Sequence, residues 1–88
     1  MIEKTTKILN PTGLAVRPAG VLCKEAMNYK SSVTFTKGNA SGNAKSVLSV
    51  LGAQVRYGDE ITISCDGPDE EEALEAVIRI IEDGLGEK

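Results

Sequence analysis

Asn10–Gly20, with the sequence NPTGLAVRPAG, combines a turn with the beginning of a helix. Its first four residues place a proline, which fixes φ, two positions before a glycine, which tolerates positive φ, and this pattern predicts a tight turn. The second proline, Pro18, suits the first turn of a helix, where a missing N–H leaves no hydrogen bond unmade. Arg17 lies in the same turn. Because free backbone N–H groups, the positive end of the helix dipole and an arginine all favour an anion, the segment predicts an anion site, with phosphate as the obvious candidate.

The rest of the chain alternates between strand-like and helix-like patterns. Alternating apolar and polar residues predict strands over 2–9, 33–36 and 61–65, and the turn sequence Lys37–Asn39 predicts a further short strand over 40–43. Helical spacing of apolar residues predicts helices over about 16–27, from Ser46 to Gly52, and after Pro68 to a stop at Gly84. The order β-α-β-β-α-β-α predicts an α+β domain with one sheet, covered by helices on one face and open to water on the other.

Two of the predicted helices carry further patterns. The first helix has an apolar stripe made of Ala19, Leu22, Cys23, Ala26 and Met27. The last helix begins with a run of four acidic residues, 69–72, which we interpret as a charge-stabilised helix start rather than a metal site. The sequence predicts neither a metal nor a cofactor. The stretch 38–46 ends like a nucleotide-binding loop, but its glycines and lysine have the wrong spacing.

Composition predicts a single small domain over residues 1–88. Ten basic and thirteen acidic residues give a net charge of −3, which argues against general affinity for nucleic acid. The chain contains no apolar run long enough for membrane insertion and no signal-peptide pattern, so we expect a cytoplasmic location. Cys23 and Cys65 fall on apolar positions and are predicted to be reduced core residues, with a disulfide between them as the less favoured alternative.

The motifs GLAVRPAG at 13–20 and NAKS at 43–46 resemble the HPr family, the histidine-containing phosphocarriers of the bacterial phosphoenolpyruvate-dependent sugar phosphotransferase system. The resemblance covers essentially the whole chain. It implies an open-faced sandwich with an antiparallel sheet in the order 1-4-2-3 and three helices on one face. It also implies a protein that is not itself an enzyme and that meets a loading enzyme and sugar-specific receivers. In the family, the residue after Gly-Leu is the phosphorylated histidine. Here that residue is Ala15, and the chain contains no histidine.

Ala15 removes the nucleophile from a site that otherwise resembles a phosphocarrier's. Transfer through histidine needs a ring nitrogen that attacks phosphorus and positive groups that stabilise the transferred charge. Arg17 and the first helix amides meet the second need, but a methyl group cannot meet the first. Thr12 is near, yet an alkyl phosphate is too stable to be handed on. Two explanations stay open: a working carrier altered at one position, or a natural paralogue similar to Crh, the HPr-like protein in which this histidine is also replaced.

The NAKS motif implies a second phosphorylation position at Ser46, modified in the family by the ATP-dependent HPr kinase/phosphorylase. The alternative is that Ser46 is only an N-cap residue. A phosphate on Ser46 would lie at the positive end of the helix dipole, which favours it. The aliphatic residues Val47, Leu48 and Leu51 follow on a short helix. The resemblance implies that they form an exposed patch that meets the loading enzyme, the receivers and the carbon catabolite repressor, and the alternative is that all three belong to the core.

Overall fold

Four strands and three helices follow each other in the predicted order within residues 1–87, the part of the chain that the computed structural model describes. They are β1 (Ile2–Lys7), α1 (Val16–Ala26), β2 (Ser32–Lys37), β3 (Ala40–Asn43), α2 (Val47–Gly52), β4 (Glu60–Asp66) and α3 (Glu70–Glu82). All strand pairs are antiparallel, and the sheet order is β1-β4-β2-β3. The predicted α+β architecture, including the order 1-4-2-3 and the three helices, is confirmed.

The two faces of the sheet follow from the alternation of its strands. In β4, Ile61, Ile63 and Cys65 are buried under the helices, while Thr62 and Ser64 lie on the other face. On that other face, the hydroxyl of Thr5 lies 2.8 Å from the hydroxyl of Thr62 across the β1–β4 pair. The predicted alternation of 61–65 is therefore the pattern that separates core from solvent.

Two elements end earlier in the structure than the sequence predicted. β1 ends at Lys7 rather than at residue 9, because Ile8 pairs with the turn before β4 and not with a strand: its N–H lies 2.9 Å from the Asp59 carbonyl oxygen. Met27 was expected on the apolar stripe of α1, but it is the C-cap residue and its side chain is 67% exposed. The other four members of that stripe are buried.

The short helix α2 ends at Gly52, which confirms the predicted end. Gly52 is its last helical residue, Ala53 is the C-cap, and the chain leaves the helix at Gln54, which adopts a left-handed φ of 52°. The predicted glycine stop of α3 is also confirmed, since Gly84 follows the C-cap Asp83 with φ 91°.

The acidic run at the beginning of α3 has a second role, because its first residue, Asp69, also binds a loop. The Asp69 carboxylate accepts hydrogen bonds from the Ser31 N–H at 2.9 Å and the Lys30 N–H at 3.0 Å, and also from the Ser31 hydroxyl. These bonds, the Ser31 hydroxyl first, lower the pKa of Asp69 to about 2. Asp69 thus ties the α1–β2 connection to the start of α3.

Both cysteines are buried and free. Their placement agrees with the prediction that they are core residues, and burial raises the pKa of both thiols. Among the helices of residues 1–87, none has the length and apolar character needed to cross a membrane.

Candidate functional site

The predicted turn before α1 is present and is held closely against the backbone that precedes β4. The Gly13 N–H donates to the Asn10 carbonyl at 3.2 Å, and Gly13 has a φ of +64°. The next residue, Leu14, donates its N–H to the Val55 carbonyl at 2.9 Å. A Cβ on Gly13 would lie 2.5 Å from that Val55 oxygen, so only glycine allows this approach. These contacts fix the loop that leads to residue 15.

Ala15 is the N-cap residue of α1 and lies exposed at the surface. Its backbone is extended, with φ −72° and ψ −175°, and its carbonyl accepts the Ala19 N–H at 2.8 Å. The N–H groups of Val16 and Arg17 precede the first helical hydrogen bond, so no helical carbonyl faces them. Arg17 is exposed and Pro18 is buried beneath the same turn. The structure therefore places the free amides of the first turn and Arg17 at the start of the same helix, where residue 15 supplies only a methyl group.

Glu87 contacts the same loop, and sequence reasoning missed it. Its Oε1 accepts hydrogen bonds from the Asn10 Nδ2 at 2.9 Å, the Thr12 hydroxyl at 2.7 Å and the Thr12 N–H at 3.3 Å. The bond from Asn10 and those from Thr12 lower the pKa of Glu87, and the positive charge of Arg17 lowers it further. Asn10 also donates to the Gly13 carbonyl at 2.7 Å. A carboxylate therefore both shapes the turn and lies within the field of Arg17.

Glu87 reaches the loop because the four residues after α3 turn back onto the domain. Gly84, Leu85 and Gly86 all have left-handed backbones, with φ values of 91°, 52° and 83°. The Leu85 side chain is fully buried in the core, which anchors the segment. The sequence contains no periodic pattern here, so the only signal was the glycine stop at residue 84.

Ser46 occupies the predicted N-cap position of α2. Its hydroxyl oxygen accepts the Ser49 N–H at 3.3 Å, and its side chain remains partly exposed. The preceding Lys45 donates its ammonium to the Tyr29 carbonyl at 2.7 Å, so the NAKS segment is tied to the loop after α1. The cap is confirmed, whereas the regulatory role of Ser46 stays a prediction.

The three aliphatic residues after Ser46 divide between surface and core. Leu48 is 82% exposed and Val47 is 39% exposed, whereas Leu51 packs partly buried against the core beside the fully buried Val50. The alternative in which all three belong to the core is therefore wrong. Val16, which sequence reasoning did not single out, is 72% exposed at the start of α1. The helices α1 and α2 pack together, and each begins with exposed aliphatic side chains.

Known proteins match this arrangement over nearly the whole chain. The PTS-HPr family model, described as the PTS HPr component phosphorylation site, matches residues 2–83. The phosphocarrier protein HPr of Mycoplasma capricolum is 38% identical over 77 residues, covering 88% of this chain and 86% of the relative. The HPr-like protein Crh of Halalkalibacterium halodurans is 37% identical over 82 residues, covering 93% and 98%. The crystal structure of HPr-C-His from Thermoanaerobacter tengcongensis has a TM-score of 0.96 at 38% identity, covering 100% of this chain and 99% of that one.

Proposed function

The chain belongs to the HPr family of the phosphotransferase system, and on that basis we propose that it is a regulatory partner protein, phosphorylated at Ser46 and unable to carry phosphate at Ala15. In this role it is a substrate of the HPr kinase/phosphorylase rather than an enzyme. It acts in the bacterial cytoplasm, where the carbon catabolite repressor recognises the form that carries phosphoserine.

The inability at position 15 follows from the chemistry of its side chain. A methyl group has no lone pair with which to attack phosphorus, however well Arg17 and the first amides of α1 would stabilise the transferred charge. The nearest hydroxyl in the loop, that of Thr12, donates to Glu87 at 2.7 Å. Its phosphate ester would also be too stable to pass onward, so the loop offers no substitute carrier.

The observation that carries the proposal is the position of Ser46 beside exposed aliphatic side chains. The Ser46 oxygen already accepts a backbone N–H, and the hydroxyl lies at the surface next to Val47 and Leu48. A phosphate there adds a charge of about −1.5 to −2. That charge changes how an apolar face docks without disturbing any buried residue, which suits a switch between partners.

A second candidate is a phosphocarrier that relays phosphate from the loading enzyme to the sugar-specific receivers, represented here by an inactive histidine-to-alanine variant. The observation that favours it is the complete frame around residue 15. Arg17 remains exposed, the turn is held by Gly13, and Glu87 fixes Thr12, although nothing at position 15 can be phosphorylated.

Intact mass spectrometry separates the two candidates. The unsubstituted protein is incubated with ATP and the HPr kinase/phosphorylase, together with Ser46→Ala and the matched control Ser41→Ala, an exposed serine on β3. We expect one added phosphate in the unsubstituted protein and in the control, and none in Ser46→Ala. No added phosphate in any of them would overturn the regulatory role.

The Ala15→His variant tests the second candidate in a parallel reaction with phosphoenolpyruvate and the loading enzyme. An acid-labile phosphate that appears only in this variant shows that Ala15 is the sole defect of the carrier site. If the variant gains none, the frame around residue 15 is not a working carrier site, and the second candidate fails.

A further inference from the structure

The strand β1 and the helix α3 border an open groove of about 360 Å³, which we call the β1–α3 groove. Its apolar lining comes from Ile2 on β1 and from Leu74 and Ile78 on α3. Ile78 is buried in the core and Leu74 packs partly buried against it. No residue of the motifs at 13–20 and 43–46 lines this groove, so it is separate from both phosphorylation positions.

One side of the groove is the free edge of the sheet. β1 lies at the end of the strand order and pairs with β4 alone in the part of the chain that the structure describes. In an antiparallel pair, only every second residue directs its N–H and C=O groups to the partner strand. Ile8, which follows β1, directs its N–H to the Asp59 carbonyl. By the same alternation, Glu3, Thr5 and Lys7 direct their backbone groups away from β4, where a further extended chain can pair with them.

The other side of the groove is a stripe of α3 that is apolar in the middle and acidic at both ends. Glu71 and Glu82 are its first and last lining residues, about 16 Å apart along the axis at the rise of an α-helix. Leu74 and Ile78 lie between them. Both glutamates are exposed, and within residues 1–87 no ion pair involves either of them. The stripe therefore offers two carboxylates on either side of an apolar centre.

The remaining charges leave the groove acidic. Arg79 pairs with Glu75 at 2.7 Å, so these two lining residues offset each other, and Lys4 alone opposes the two end carboxylates. The surroundings have the same sign, since α3 carries five glutamates and one arginine. Residues 66–88 contain two Lys and Arg against nine Asp and Glu, a net charge of −7, while residues 1–65 contain eight against four, a net charge of +4. The groove therefore favours a basic occupant.

Charge and dimensions select the kind of occupant. A second copy paired edge to edge through β1 would place two acidic α3 helices on the same side of one continuous sheet, where they repel each other. An extended basic segment pairs with the same edge without that repulsion. Side chains on one face of a strand recur about every 6.6 Å, so three of them span about 13 Å. Long basic side chains at the first and third of these positions reach Glu71 and Glu82.

We propose that the β1–α3 groove binds an extended segment of another protein, which adds to the sheet as a further strand beside β1. At the positions that face α3, this segment carries a basic, an apolar and again a basic residue. The basic side chains pair with Glu71 and Glu82, and the apolar side chain packs on Leu74 and Ile78. The contact goes beyond the proposed function, since it uses neither Ser46 nor residue 15.

An NMR titration of the isotope-labelled full chain with a synthetic peptide tests the groove. The peptide has six residues, as many as β1, in the order lysine, threonine, valine, threonine, lysine, threonine, with both ends blocked. We expect the amide signals of β1 and α3 to shift. Hydrogen exchange at the Glu3, Thr5 and Lys7 amides should slow, because these groups gain acceptors. A peptide with glutamate in place of lysine, and one N-methylated at the amides that face β1, should not bind.

Two double variants with the same change in charge separate the groove from the general acidity of the chain. Glu71→Gln combined with Glu82→Gln should raise the Kd about fivefold, because two exposed ion pairs to the peptide are lost. Glu60→Gln combined with Glu72→Gln changes two exposed glutamates outside the groove and should alter the Kd less than about twofold. Equal weakening by both double variants would mean nonspecific charge attraction and would overturn the proposal.

Three further results would also overturn it. They are the absence of any shift with the lysine peptide, equal binding of the glutamate peptide, and shifts confined to the loop at 10–20. Sedimentation of the protein alone tests the rival occupant: a dimer in which the Glu3, Thr5 and Lys7 amides are protected before peptide is added would assign the edge to a second copy. None of these outcomes bears on phosphorylation of Ser46, which mass spectrometry measures separately.

Discussion

Replacing Gly13 by alanine tests how the loop of residue 15 is held in place. Gly13 has a φ of +64°, and a Cβ there would lie 2.5 Å from the Val55 oxygen and 2.7 Å from the Arg56 Cα. A side chain in this conformation costs about 1–2 kcal/mol. Both neighbours are backbone atoms that no change of rotamer can move, so overpacking adds about 1–3 kcal/mol. We therefore expect Gly13→Ala to lower the free energy of unfolding by about 2–5 kcal/mol, out of about 4–13 kcal/mol for a chain of this length.

Gly38 provides the matched control for this prediction. It has nearly the same φ, +57°, but no atom lies within 4 Å of its Cβ position. Gly38→Ala should therefore lose only the conformational part, about 1–2 kcal/mol. Urea denaturation followed by circular dichroism gives both values, and the difference between the two variants measures the close approach of Gly13 to the backbone of Val55 and Arg56.

The result that would refute this reasoning is equality of the two variants. If Gly13→Ala and Gly38→Ala agree within about 0.5 kcal/mol, which is the range of ordinary surface substitutions, the contact with Val55 does not hold the loop. Thermal denaturation provides a check, since each 1 kcal/mol shifts the Tm by about 4–8 °C in a domain of this size. The expected Tm of Gly13→Ala is the lower of the two.

Three further predictions concern stability. Ser46→Ala should lower the free energy of unfolding by about 0.5–2 kcal/mol because the Ser49 N–H loses its acceptor. Urea denaturation measures this change, and a smaller change would mean that Ser46 does not stabilise α2 as an N-cap. Leu85→Ala should cost about 2–5 kcal/mol, since this side chain is fully buried; an unchanged urea midpoint would mean that the segment after α3 is not anchored in the core. The pKa of Asp69 is lowered to about 2 in the folded protein, so the stability it contributes is present above its unfolded pKa and is lost as pH falls toward about 2. Urea midpoints between about pH 7 and pH 2 should therefore fall less steeply in Asp69→Asn, and parallel curves would contradict the assignment.

The features that the sequence predicted correctly depend on residues close together in the chain. Alternation over 61–65 identified the buried face of β4, because side chains of a strand point to opposite faces. Ser46 could be recognised as an N-cap because the N–H it accepts belongs to Ser49, three positions away. The sheet order was predicted on a different basis. No local pattern fixes which strands pair, so it came from resemblance to a family.

The features that were missed depend on distant residues or on where a helix meets the core. Glu87 bonds Asn10 and Thr12 across 77 and 75 positions, and no pattern near residue 87 indicates that contact. Leu85 lies beyond a glycine that ends a helix, where periodicity is absent. The predicted burial of Met27 failed for a different reason: an apolar stripe does not reveal that its last residue lies beyond the core.

The side chain of residue 15 makes no capping hydrogen bond that would fix its own loop. The contacts that hold the loop come from Gly13 against Val55 and from Thr12 bonded to Glu87, and the Ala15 side chain makes no capping hydrogen bond. The same backbone can therefore present a histidine or a methyl group, so the loss of transfer need not disturb the fold or the surfaces proposed for docking. An altered carrier and a natural paralogue would then share one structure. Stability measurements cannot separate them, and only the chemistry restored by a histidine at position 15 shows whether the frame still serves transfer.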